Sequence, residues 1–444
     1  MSSRNFTDHG TRRHVDTETQ KFRHTPCLRV SMSRRVERPM TKLVLASFVL
    51  CTAVGSSLAA DWPQWRGPNR DGAGATFTAP AQWPETLTRK WSIDIGSGHS
   101  SPVLANGRLY LHTRQQEAEV ISALDPATGK IIWQDRYPAP YRMNPAATAH
   151  GPGPKSTPVV AGGRIVTLGI SGILSALDAN TGKVLWRKPA PAEGPMYGTG
   201  MSPAIDGSLV IAHVGGHDKG ALTAFDAATG AERWKWTGDG PGYGSPVIGT
   251  LDGVRQLVNV SQDKIVSVAA ADGRLLWELP LRTPYTQNSV TPIIEKDLVI
   301  YSGLEHPLTA IRPVRKGNTW TTERVWENPG ASLYMNTPVL VGTTLYGMTN
   351  RNRGQFFAVD LASGKTLWTT RGREAENAAI VTSGALLFVL KTDAELVIAR
   401  PNTASFDVLR RYTVADSPTW AHPVIDGNRI FVKDAGSLTL WTVS

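Results

Sequence analysis

Three observations predict that this is an all-β chain, an eight-bladed β-propeller of four-stranded antiparallel blades. An eleven-residue phrase ending in tryptophan recurs along the chain, a Ser/Thr-Pro step precedes each copy, and the closing aromatics are spaced 42 to 53 residues apart. A period of that length, filled with short alternating strands and turn residues, matches one four-stranded blade. At 41% hydrophobic and 19% charged, the 444 residues hold enough apolar matter for a folded core, which excludes a chain disordered throughout. The single long apolar run lies near the N-terminus, so a multi-span membrane protein is excluded as well.

The phrase reads Ala-x-Asp-x-x-x-Gly-x-x-x-Trp and runs from Ala123 to Trp133, Ala176 to Trp186, Ala224 to Trp234 and Ala358 to Trp368. A degenerate copy spans Ser267 to Trp277, and stretched copies end at Trp326 and Tyr412. Each copy reads as a β-hairpin: a strand ends in Asp, a tight turn closes on Gly, and a second strand carries the Trp. Asp and the Thr or Ser before Gly can hydrogen-bond the turn backbone, while Gly accepts the positive φ that the turn needs.

Upstream of the hairpins, Ser101-Pro102, Thr157-Pro158, Ser202-Pro203, Ser245-Pro246, Thr291-Pro292 and Thr337-Pro338 each open an apolar run, and Ala379-Ile380 and His422-Pro423 continue the register. Eight such inner-strand markers predict eight blades. The last unit stops one strand short, and Thr88–Ile95 carries an unpaired strand with Trp91 in the closing position. That strand is predicted to complete blade eight and remove two exposed sheet edges. An open arc, or seven blades with a spare unit, is the alternative.

The predicted organisation is an N-terminal extension and secretory signal peptide over 1–60, a Trp/Pro-rich lead-in strap over 61–87, and a single propeller over 88–444. Basic residues lead to Met40-Thr41-Lys42, an apolar stretch follows over Leu43–Ala53, and small residues run up to Ala60 before Asp61. This is the pattern of a signal peptide ending near Ala60, which implies a periplasmic or secreted protein with no membrane span after cleavage. Met1, Met32 and Met40 all remain possible starts. Arg34-Arg35 departs from a twin-arginine signal because Val36, Glu37 and Pro39 follow it. Cys51 departs from a lipoprotein site because bulky Leu50 precedes it and cleavage there would cut the apolar run.

Residues 1–60 hold ten basic and four acidic residues, so +6 of the formal +10 sits there and +4 is spread over the other 384. That mild surplus is no nucleic-acid stripe. Both cysteines, Cys27 and Cys51, fall in the same segment, so the mature propeller offers no disulfide, thiolate or cysteine-ligated zinc.

The phrase, repeated from residue 91 to the end, resembles the repeat of the pyrroloquinoline-quinone-type propellers. That family includes quinoprotein dehydrogenases and non-catalytic BamB-type propellers of outer-membrane β-barrel assembly. The resemblance implies that Trp91, Trp133, Trp186, Trp234, Trp277, Trp326 and Trp368 dock each blade against its neighbour. For the dehydrogenase branch it implies a quinone beside a disulfide of adjacent cysteines and a calcium ion. A chain without cysteine in its mature part departs from that pattern, so no catalytic residue, no metal ligand and no cofactor are assigned. Pyrroloquinoline quinone and calcium enter only under the alternative of a short alcohol- or sugar-oxidising quinoprotein.

The hairpin turns are short and uniform, whereas the connections between blades vary and are where a binding face belongs. Arg142, Asn144, Tyr197, Tyr243, Tyr285, Asn288, Tyr334, Asn336, Glu374, Asn377, Trp420 and His422 are the candidate binding residues on that face. Such groups can ring a central funnel and stack on a planar or sugar-like ligand, or can satisfy loop backbone instead. His213-Val-Gly-Gly-His217-Asp218 has no metal-binding spacing and is expected to be a satisfied surface cluster. In the lead-in, Trp62, Trp65 and Arg66 are either packing against the ring or a partner contact. The expected role is that of an exported, monomeric, non-catalytic scaffold for an envelope protein or a small ligand.

Overall fold

The computed structural model describes residues 61–74 and 77–443, and the extension and signal peptide predicted over 1–60 lie outside the described residues. Eight four-stranded antiparallel blades follow one another around an axis. Blade 1 consists of Val103–Ala105, Arg108–Gln115, Ala118–Leu124 and Ile131–Pro138 from the axis outward. Blades 2 to 7 occupy 159–188, 204–236, 247–280, 293–332, 339–369 and 378–413. Blade 8 takes Val424–Asp426, Arg429–Lys433 and Ser437–Thr442 from the C-terminal end, and its outer strand is Thr88–Asp94. Trp91 pairs with Leu440 and Asp94 with Ser437, antiparallel, so the ring closes through the strand that the sequence predicts.

The repeated phrase forms one contact between neighbouring blades. Asp125 Oδ1 accepts hydrogen bonds from the Thr128 amide and hydroxyl, both at 2.8 Å, and Asp178, Asp226 and Asp360 hold their turns likewise. The turn glycine then sits in the left-handed region, with φ of 73° at Gly182. Trp133 of blade 1 lies flat on that glycine and donates its indole N–H to the Ala179 carbonyl at 3.1 Å. Trp91 reaches Pro126, Trp186 reaches Ala227, Trp234 reaches Ala270, Trp326 reaches Leu361 and Trp368 reaches Asn402 in the same way. Trp277 departs, donating to Gln256 Oε1 of its own blade. A register irregularity in the outer hairpin of every blade bends the strand beside this aromatic, which turns its ring toward the neighbour.

The core is laid down between blades. Val103, Tyr110 and Ile121 of blade 1 meet Val160, Ile165 and Leu177 of blade 2, and comparable clusters fill the other junctions. At the inner edge, the markers form a hydrogen-bonded chain around the axis. The His422 amide donates to Ser101 Oγ, Ser101 to Thr157, Thr157 to Ser202, Ser202 to Ser245, Ser245 to Thr291 and Thr291 to Thr337, at 2.9 to 3.2 Å. The chain breaks where Ala379 and His422 replace the hydroxyl residues.

The lead-in crosses the axial opening. Trp62 bridges to Leu104 of blade 1, the Pro63 carbonyl accepts from Val160 of blade 2, and Ala73–Gly74 pairs in parallel with Thr382 and Ser383 of blade 7. Between them Arg70 donates to the Ser202 and Pro203 carbonyls of blade 3 and the Pro246 carbonyl of blade 4. Arg66 donates to the Thr337 and Pro338 carbonyls of blade 6. Both arginines are buried and adopt positive φ, a backbone conformation that costs about 1 kcal/mol and that these multiple charge-assisted contacts offset.

Gly182→Ala should separate the docking contact from backbone strain. A Cβ there would stand 2.5 Å from the Trp133 ring, whereas Gly163, at a similar φ of 74°, has open space around it. The expected losses are about 1 kcal/mol for Gly163→Ala and at least about 2 kcal/mol for Gly182→Ala in denaturant unfolding. Equal losses would contradict the docking account.

Candidate functional site

The loops that feed the inner strands of all eight blades converge on one end of the axis, where they line a cavity of about 230 Å³. Residues two positions before each marker face it: His99, Lys155, Gly200, Tyr243, Ser289, Met335, Asn377 and Trp420. The marker hydroxyls fix the entering chain in extended form, and in extended backbone residues two apart point the same way. The floor is Trp65 of the strap, whose indole donates to Thr291 Oγ1 at 3.1 Å and whose ring lies 4.3 Å from that of His422.

Two aromatic groups make the walls. His99 stacks on Trp420 with centroids 5.5 Å apart and planes at 11°, and His150 meets Trp420 edge-on at 4.8 Å. Elsewhere Tyr197 packs on Tyr243, whose hydroxyl accepts the Tyr197 amide at 3.2 Å and lies 3.3 Å from His217 Nε2. Lys155 donates to the Tyr197 carbonyl at 2.7 Å, and burial pushes its ammonium down to about 8. Lys433, fully buried, donates to the Asp434 carbonyl and is pushed down to about 8 by burial. The His99 ring is pushed down to about 3, first by burial and then by His150, Lys155 and Lys433. His422 is held well below the usual range by burial and by Arg66.

Of the candidate binding residues, Tyr197, Tyr243, Tyr334, Asn377, Trp420 and His422 line the cavity, and the other six do not. Arg142 and Tyr285 are exposed on neighbouring loops, Tyr285 at 74% and a φ of 57°. Asn144 caps the short 3-10 helix Pro145–His150 by accepting the Ala146 amide. Asn288 is a buried pin, donating to the Ser261, Gln262 and Leu281 carbonyls. Asn336 accepts the Met348 amide at 3.4 Å, and Glu374 is half-buried with its amide on the Gly354 carbonyl. His99, His150, Lys155 and Gln287, which stand in the same inter-blade connections, line the cavity as well, and a constant offset from the markers picks out His99 and Lys155. Trp65 belongs to no repeat, and no pattern assigns it to the floor.

The expectation of a surface cluster at His213 is corrected. His213 is buried, with its ring nitrogens against the Asp239 carbonyl and the Asn259 amide, both at 3.1 Å, and burial pushes it down to about 4. Among the described residues no group of three His, Cys, Asp or Glu is placed to hold a metal. Calcium asks for several oxygen ligands with carboxylates among them, and no Asp or Glu lines the cavity, which instead carries the cation of Lys155. The lining therefore does not supply the carboxylate ligands that a calcium ion asks for.

The histidine environment has a measurable consequence. The unfolded chain binds a proton at His99 below about pH 6.5, whereas the folded ring refuses it down to about 3, so this site lowers stability as pH falls through that window. The ring carbon–proton resonances of His99, assigned through His99→Asn, are expected to stay flat between pH 8 and 5. A midpoint near 6.5 would contradict a buried, neutral ring.

Comparison with known proteins follows the same lines. Residues 116–370 match the family model described as outer membrane protein assembly factor BamB. The chain is 22% identical to the outer membrane protein assembly factor BamB of Shewanella oneidensis over 80% of its own length and 88% of that protein. It is 28% identical to subunit 1 of the methanol dehydrogenase of Methylorubrum extorquens over 35% of this chain and 26% of the relative. The crystal structure of BamB from Moraxella catarrhalis shares the fold with a TM-score of 0.58 at 18% identity, covering 80% of this chain and all of the other. The quinohemoprotein alcohol dehydrogenase of Comamonas testosteroni shares it with a TM-score of 0.62 at 16% identity, covering 86% and 80%. The family match extends over more than half of the chain, and the protein belongs to the family of the outer membrane protein assembly factor BamB.

Proposed function

We propose that this protein works in the cell envelope as a non-catalytic binding propeller that offers its funnel face to a protein or a small ligand. The observation that carries this reading is the division of labour along each inner strand. The marker hydroxyls keep the ring constant, while the positions two residues earlier range from glycine to tryptophan and turn one shared mouth into a specific surface. Export by the signal ending near Ala60, a periplasmic or secreted location and a monomeric state are part of the proposal. The assembly-factor relatives are its nearest model for a partner protein.

Chemistry at the funnel finds little support in its residues. General acid–base catalysis needs a group that titrates near the working pH beside the reacting atom. His99 and His422 are held neutral, the lining supplies no carboxylate to pair with them, and Lys155, which burial brings down to about 8, is engaged by the Tyr197 carbonyl.

The test is a photo-activated cross-linker placed at Tyr285, beside the funnel, and at Lys183, on the opposite hairpin-turn face, in cells of the source organism. Adducts are expected from Tyr285 and not from Lys183. The purified protein supplied with pyrroloquinoline quinone and calcium is expected to give no dye-linked oxidation of alcohols or sugars. Turnover, or adducts only from Lys183, would overturn the reading.

A further inference from the structure

We propose that the funnel holds the ring of an acidic sugar, a uronate-type unit whose carboxylate sits on Lys155 while its face stacks on Trp420. The inference rests on the funnel being the binding face and names the class of ligand that it takes.

Charge comes first. Lys155 faces the cavity and Lys433, outside its lining, is near enough to act on the charge of His99, and among the described residues neither has a carboxylate within ion-pair distance; each spends a hydrogen bond on a backbone carbonyl. A desolvated ammonium without a counter-ion is unfavourable, and burial already pulls Lys155 toward its neutral form. An anion delivered into the cavity would reverse that. His422 adds a second polar group, a buried ring at the wall of the cavity whose Nδ1 has no hydrogen-bond partner.

The remaining lining decides which anion. Trp420 presents an indole held in place by stacking against His99 and the edge of His150, a rigid apolar platform for a ring. Around it the Gln287 amide and the Tyr334 and Tyr197 hydroxyls make no hydrogen bond within the described chain, although all three residues line the cavity. An inorganic anion would leave the platform and these groups unused, and a flat aromatic acid would leave the polar groups unused. A sugar carboxylate uses all three features, with hydroxyls for the amide and phenols, a ring face for the indole and a charge for the ammonium. Trp65 closes the floor, so a ring enters from the loop side, whether as a free sugar acid or as the end of an acidic polysaccharide.

The test titrates the purified protein with glucuronate, galacturonate, trigalacturonate, glucose, benzoate and sulfate, following tryptophan fluorescence and heat. A uronate is expected to saturate at least tenfold more tightly than glucose, benzoate or sulfate. Lys155→Gln is expected to erase that preference, bringing the uronate affinity down to that of glucose. Trp420→Leu should weaken the uronate and glucose together. Tighter binding of trigalacturonate than of the monomers would assign the polysaccharide end, and equal binding the free acid. Equal affinity for glucose and uronate, strongest binding by sulfate or benzoate, or a uronate affinity indifferent to Lys155→Gln would overturn the proposal. The two readings fail separately, because cross-links from Tyr285 without uronate binding would sink the sugar site and leave the binding face standing.

Discussion

Eight sheets set side by side around an axis leave a physical problem at their centre. The carbonyls that open the inner strands face the axis, where no further strand can receive them, and a buried carbonyl without a donor is costly. Arg66 and Arg70 answer it from the strap. Each guanidinium carries five N–H donors in a fixed plane, and between them they reach the opening carbonyls of blades 3, 4 and 6. Burial draws them down to about 10 and about 9, yet both remain cations at neutral pH, so their bonds are charge-assisted. The same short segment touches blades 1 and 2 through Trp62 and Pro63, blade 5 through Trp65, blade 7 through Ala73–Gly74 and blade 8 through the His422 ring. Fourteen residues, Asp61 to Gly74, thus tie the ring together from inside while the indole contacts tie it from outside.

This plug is also what makes the funnel a cavity. Without Trp65 the axial space would continue between the inner strands; with it the loop residues of all eight blades enclose a small chamber with one mouth. Architecture and binding therefore share one element. The hydroxyls of six of the eight markers link the entering strands of neighbouring blades, so the residues placed two positions earlier can vary in size and charge without disturbing the blades.

The repeat made most of the fold legible. The Gly and Trp that touch come from the phrases of neighbouring blades, yet the constant spacing of the phrase marks both halves of the contact, and the lone strand around Trp91 shows how the ring closes. The strap was opaque for the opposite reason: Arg66 and Arg70 occur once, in an irregular segment, and their partners lie more than a hundred residues away. In the funnel, residue type misled where register did not. Asn288 and Asn336 have the chemistry of ligand groups but serve backbone atoms, and Tyr285 is exposed outside the chamber lining. Lys155 and His99 sit at the repeat position that faces the cavity. His213 read as polar surface because a sequence does not show that its two ring nitrogens have the Asp239 carbonyl and Asn259 waiting inside the core.

The central claim is that the ring depends on the buried guanidiniums of the strap, and equilibrium unfolding of the Arg66→Met, Arg70→Met double variant in denaturant tests it most directly. If the inner strands rely on these donors, the variant should lose at least about 3 kcal/mol, since several buried carbonyls are left unpaired, and all blades should still melt in one transition at lower denaturant. An unchanged midpoint, or early release of the strap alone followed by a ring as stable as before, would contradict it.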